Sequence, residues 1–179
     1  MSMSGPSEKS PRFTIFRAAE AVDLEASGAM TPLPPTPTQM EGIAQAAEAG
    51  MNKGHRTRLL YAAPGFSLTY AWFKSGFPLP LHSHSSDCLY YVVGGSLKLG
   101  TEVLAAGDGF FLGADVPYTY TPGENGVEVL EFRTTDSFDI RLLAKNPAFW
   151  AKAAATAHAK LDVWPTETVP PSGLTIGQG

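Results

Sequence analysis

Two histidines stand two residues apart in the run Pro78-Leu79-Pro80-Leu81-His82-Ser83-His84. Alternate residues of a β-strand face the same side, so the two imidazoles are expected to project together. Side-by-side imidazoles can fill two adjacent positions around a divalent ion. The plainer alternative is a pair of pocket histidines satisfied by hydrogen bonds or water. If the turn after His84 keeps the strand phase, Cys88 and Tyr90 join the same face.

A histidine pair needs rigid strands to hold it. Residues 58–133 supply them in the form of short apolar runs. Strands are expected at 58–63, 67–74, 78–84, 88–93, 96–99, 101–104, 109–112, 117–121 and 127–133, with Gly or Pro in or beside nearly every gap. Many short strands with regular turn signals indicate an all-β sandwich or barrel. Almost no helix fits inside this stretch, which argues against a βαβ fold. Three regions follow: an arm over 1–57, a barrel over 58–133, and a C-terminal helix and tail over 134–179.

Within the arm, residues 1–11 are polar and expected to be mobile. Phe13-Thr14-Ile15-Phe16 reads as a short edge strand. Thr31 to Thr38 carries four prolines in eight residues, a stiff connector. Thr38 can cap a helix running to about Gly50, with Met40, Ile43, Ala44 and Ala47 on one side. After the barrel, Asn146 can cap a helix with Pro147 in its first position. Phe149, Trp150, Ala153, Ala157 and Leu161 then recur at helical spacing and should pack on the barrel. An arm this long, with a poor core of its own, should wrap the barrel or cross to a second copy in a homodimer.

The segment around the histidines resembles the first motif of the cupin superfamily. Gly76, His82, His84 and Gly95 occupy matching places, and Cys88 stands where the motif has a Glu. The run Gly107-Asp108-Gly109 to Pro117-Tyr118 resembles the second motif, with Tyr118 where the third His usually stands; Gly113 and Asp115 also depart from its pattern. The resemblance covers roughly residues 58–133. It implies a small antiparallel double-stranded β-helix, or jelly-roll, of the RmlC-like kind, commonly a dimer. In family terms the metal set here reads His82, His84, Cys88 and Tyr118, for an Fe, Zn, Mn or Ni ion. Cys is softer than Glu and favours zinc or iron over manganese. Cys and Tyr must each lose a proton to ligate, from ordinary values of about 8.5 and about 10, and a bound cation would drive that loss. The plainer readings are a small buried apolar residue for Cys88 and a pocket wall for Tyr118.

Of the other candidates, His55 and His158 are expected to lie outside the pocket, as loop and helix residues usually do. Glu128 and Glu131 fall on alternate faces of the last barrel strand, so one of them could point inward. Arg133 beside Glu131 reads most simply as an exposed charge pattern.

Composition excludes several classes. The net charge is −4, and no Lys/Arg run could displace counterions from nucleic acid or hold an anionic membrane. One cysteine allows no intrachain disulfide. No apolar run approaches the ~18 residues of a membrane span, so the expected compartment is the cytoplasm. Two function classes stay open. One is a metal-dependent enzyme, dioxygenase- or isomerase-like, acting on a small organic metabolite, with Tyr118 or Tyr90 as proton donor. The other is a non-catalytic module binding a small ligand with a degenerate metal site.

Overall fold

The arm consists of small elements that reach the barrel. In a computed structural model, residues 10–177 are described. Most of the polar stretch 1–11 lies outside the described residues. The arm supplies β1 (Val22–Asp23), α1 (Leu24–Ser27), β2 (Met30–Pro32) and α2 (Pro37–Glu48). Thr36 starts α2, two residues before the expected cap. Its hydroxyl accepts from the Gln39 N–H, and Gln39 Oε1 accepts from the Thr36 N–H at 2.8 Å. This reciprocal box needs a Gln or Glu three positions after the cap; Thr36 has Gln39 and Thr38 has Glu41, and Pro37, suited to the first helical position, favours the start at Thr36. The buried side is Gln39, Gly42 and Ala46, while Met40 faces solvent. Phe13-Thr14-Ile15-Phe16 forms no strand and is exposed.

The barrel runs through β3 (His55–Ala63), β4 (Phe66–Phe73), β5 (His82–His84), β6 (Cys88–Leu99), β7 (Glu102–Ala105), β8 (Gly109–Leu112), β9 (Thr121–Arg133) and β10 (Phe138–Leu142). One sheet has the order β1-β3-β4-β9-β6-β7, with β8 also on β6. The other has the order β2-β10-β5. All pairings are antiparallel except β2 with β10. The architecture is all-β, with an arm before the barrel and a helix after it.

Several strands differ from expectation for physical reasons. The runs at 88–93 and 96–99 join into β6 across a register shift at Gly94 and Gly95. Gly95 adopts φ 72°, and a Cβ there would run into the Gly126 carbonyl. The glycines read as a break are thus a bulge within one strand. Prolines 78 and 80 limit the expected strand at 78–84 to β5. The expected strand at 117–121 is reduced to a single bridge between Tyr118 and His82. β10 was not expected, yet it holds β5 in register, with Leu142 opposite His82 and Ile140 opposite His84.

The last helix, α3 (Pro147–Ala159), starts as expected, with Asn146 Oδ1 accepting from the Ala148 N–H at 2.9 Å. It buries Trp150, Ala153 and Ala157. Trp150 lies against Gly42 of α2 so closely that any Cβ at Gly42 would overlap the indole. Gly42→Ala is therefore expected to destabilise the protein by about 1–3 kcal/mol, the usual cost of overpacking a tight contact. Denaturant unfolding would measure it, and an unchanged midpoint would show that the two helices can slide apart freely.

Candidate functional site

β5 presents both histidines to the interior. His82 and His84 are 4 % and 8 % exposed, and their ring centroids lie 5.1 Å apart at 81°. His82 Nδ1 is 2.7 Å from the Pro80 carbonyl, and His84 Nδ1 is 2.8 Å from the Asp139 carbonyl. A carbonyl oxygen can only accept, so each Nδ1 carries the proton and donates it. Each Nε2 is left as the lone-pair nitrogen. Burial lowers both pKa values, and the Arg133 cation helps bring His84 down to about 4. The pair is neutral near pH 7, the state required of a metal ligand.

Beneath the histidines lies a buried charge pair. Glu131 points inward from β9, while Glu128 points to the opposite face. Arg133 Nη2 is 2.8 Å from Glu131 Oε2, and the Thr69 hydroxyl donates to that same oxygen at 2.9 Å. Arg133 Nη1 donates to the Thr69 oxygen at 3.1 Å. Arg133 also lies over the Phe138 ring, 3.8 Å from its centroid, and Phe138 meets His84 edge-on at 5.4 Å. Burial opposes ionisation of Glu131, but Arg133, His84 and the Thr69 hydroxyl together pull its pKa below the ordinary carboxylate value. The expected exposed charge pattern at these two residues is thus a buried ion pair. It is buried because Glu131 and Arg133 lie on the inward face of β9, while Leu130 and Phe132 on the other face are only half-buried.

Tyr118 is in contact with the pair. Its ring centroid is 4.3 Å from that of His82, and its hydroxyl is 2.6 Å from the Tyr90 hydroxyl. Burial raises the pKa of both phenols, so both are protonated near neutral pH. Cys88 and Tyr90 do share the inward phase of β6, paired across to Arg133 and Glu131. Neither lines the cavity in front of the histidines. Burial and the Glu131 carboxylate push the Cys88 thiol up to about 12. Among the described residues, no third His, Cys, Asp or Glu completes a metal-binding cluster with the histidine pair. As a fit for a divalent ion, the pair offers two correctly protonated imidazoles, with the Tyr118 ring packed against His82.

The cavity has a volume of about 400 Å³ and is mainly apolar, with Ala46, Phe73, Phe77, Leu79 and Leu142 in its walls. Its buried end holds His82, His84, Tyr118 and Glu131. Part of its cover comes from α2 and from Trp150 of α3. His55 corrects the sequence expectation: it lines this cavity, exposed, beside Asn52 and Glu25. It is the first residue of β3 and not part of a loop, which gives it the inward phase of that strand. His158 does not line the cavity.

Breaking the charge pair should be costly. Glu131→Gln leaves the Arg133 cation buried without its counter-charge, and a loss of about 3–5 kcal/mol is expected on unfolding. The double variant Glu131→Leu, Arg133→Met should recover most of it. A double variant no more stable than the single one would refute the pairing. Cys88 should resist alkylation by iodoacetamide at about pH 8 in the native protein and react readily in denaturant, because the thiolate is the nucleophile.

No family model and no curated protein matches the chain. Similar solved structures include an RmlC-like cupin from Shewanella frigidimarina, 24 % identical over 46 % of this chain and 78 % of that one, with a TM-score of 0.42. KdgF from Halomonas sp. is 22 % identical over 45 % and 79 % of the two chains, with a TM-score of 0.41. The polyketide cyclase RemF from Streptomyces resistomycificus is 20 % identical over 61 % and 84 %, with a TM-score of 0.49. No residue role is carried across from them. The antiparallel strand pairing, with His82 and His84 forming β5 and Gly95 inside β6, gives the all-β barrel that the sequence motifs lead one to expect.

Proposed function

We propose that this barrel binds a divalent metal ion through His82 and His84 and acts as a metal-dependent enzyme on a small organic metabolite. The observation that carries the reading is the carbonyl partner on each Nδ1. Metal-bound histidines characteristically donate their other ring N–H in this way, which fixes the tautomer and ring orientation. Fe, Zn and Ni suit imidazole, with Mn the weaker match, and such an ion would act as a Lewis acid toward a substrate oxygen. In this reading Tyr118, which lines the cavity, gives a proton to that substrate, with its hydroxyl hydrogen-bonded to that of Tyr90. Cys88 is assigned to packing, since its thiol is held protonated away from the cavity.

Metal analysis tests the reading. After reconstitution with Fe²⁺, Zn²⁺, Mn²⁺ or Ni²⁺, the wild type should hold an equimolar ion. His82→Ala and His84→Ala should each lower metal affinity by at least about tenfold, each removing one of two imidazole ligands. A wild type that takes up none of the four, or variants that bind as well as it does, would overturn the proposal.

A second reading is a non-catalytic module that binds a small ligand. It is favoured by the missing third cluster member among the described residues. It requires His82→Ala to keep full ligand affinity with no turnover in the wild type. In either reading we propose a cytoplasmic protein that forms a homodimer, which gel filtration tests; a purely monomeric protein would leave the arm only its wrapping role on the barrel. No helix among the described residues is long and apolar enough to cross a membrane.

A further inference from the structure

The cavity carries polar residues at its buried end and at its exposed edge, and most of the rest of its lining is apolar. Its buried end is the floor formed by His82, His84, Tyr118 and Glu131. Its exposed end is a rim of His55, Asn52 and Glu25, three residues that line the cavity and yet are open to solvent. The strand register sets the separation. His55 stands opposite Phe73 on β4, and Thr69, which bonds Glu131, lies four residues back along the same strand. At ~3.3 Å per residue, rim and floor are about 13 Å apart. Phe73, Phe77, Leu79 and Ala46 are among the apolar residues that line the cavity as well.

The His55 ring is held by its neighbours. It lies 5.2 Å from the Phe77 ring and 6.3 Å from the Phe73 ring, centroid to centroid. Those aromatics support the imidazole at the rim. Trp164 backs Phe77 in turn, 5.9 Å away, and its indole N–H is anchored on the Ser75 carbonyl at 3.0 Å. A side chain this well supported is suited to recognise a ligand atom and not merely to meet solvent.

We propose that the cavity grips an elongated ligand at both ends, with His55 and Asn52 hydrogen-bonding a distal hydroxyl while the floor holds a proximal oxygen. The ligand class is a flat or extended apolar molecule with a polar oxygen at each end, such as a dihydroxylated biaryl. The Glu25 carboxylate at the rim disfavours a distal carboxylate. The cavity volume of about 400 Å³ lies within the range that encloses ligands of this size. This inference rests on the proposed small-molecule role of the cavity but not on the identity or presence of a metal.

Three probes test it: phenol, para-phenylphenol, and para,para′-biphenol, titrated into the full-length protein by calorimetry. The apolar body should make para-phenylphenol bind more tightly than phenol. The second hydroxyl should add a further gain of about tenfold, as one well-placed hydrogen bond at the rim would supply. In His55→Ala that further gain should vanish, while the affinity for para-phenylphenol and the metal content stay as in the wild type. His55→Gln should restore part of the gain, and Asn52→Ala should reduce it, which guards against misfolding of any single variant. Equal loss of both biaryls in His55→Ala, no preference for the biphenol in the wild type, or no binding of either biaryl would overturn the proposal. Metal loss in His82→Ala is read separately, so failure of the metal reading leaves this comparison intact.

Discussion

The interior of this barrel is organised around one buried ion pair. Arg133 is fully buried, and a cation cannot stay there without a counter-charge and hydrogen bonds. Glu131, two residues earlier on the same strand, supplies the charge, and Thr69 of the neighbouring strand bonds both partners. The pair sets the state of the groups around it. Arg133 helps hold His84 neutral. Glu131 helps keep Cys88, Tyr90 and Tyr118 protonated. Above this self-compensated pair the other floor residues, His82, His84 and Tyr118, are neutral hydrogen-bonding groups. It also means that Glu131, committed to Arg133, differs from a free carboxylate in its availability to anything above it.

The second constraint is closure. Barrel strands alone would leave the cavity wide open, and elements distant in sequence cover it. The arm contributes α2, the C-terminal region contributes α3, and the two lock where Gly42 admits the Trp150 indole. The Trp150 N–H is bonded to the Ala144 carbonyl at 2.9 Å, which ties α3 to the chain that leaves β10. Gln39, buried in α2, donates to the Leu142 carbonyl at 2.9 Å and so ties the cover to the strand beside His82. The cover and the histidine strand thus share one support. The opening is left where Glu25, Asn52 and His55 meet solvent.

How much of this is legible in the sequence depends on the range of the interaction involved. The His-x-His pair, the inward phase of Cys88 and Tyr90, and the Asn146-Pro147 helix start are local patterns, and the structure places them as expected. The start of α2 at Thr36 was also local, because Pro37 right after it suits the first helical position and Gln39 completes the box. The alternating Phe138-Asp139-Ile140-Arg141-Leu142 carries a strand signal as well, and this strand is what holds β5 in register. The ion pair was not legible in the same way. Glu131 and Arg133 alternate with Leu130 and Phe132, so the pattern says only that one face of β9 is charged. Which face looks inward depends on β4 and β6 lying on either side of it, a matter of topology. His55 was misplaced for a related reason. A histidine after Gly54 reads as the end of a loop, but pairing with Phe73 begins at His55 itself, and the first paired residue takes the phase of the strand. That three-residue difference in where the strand begins, 55 instead of 58, decides whether the imidazole is a loop residue or one aligned with the cavity-lining face of the strand, because strand faces alternate at every step.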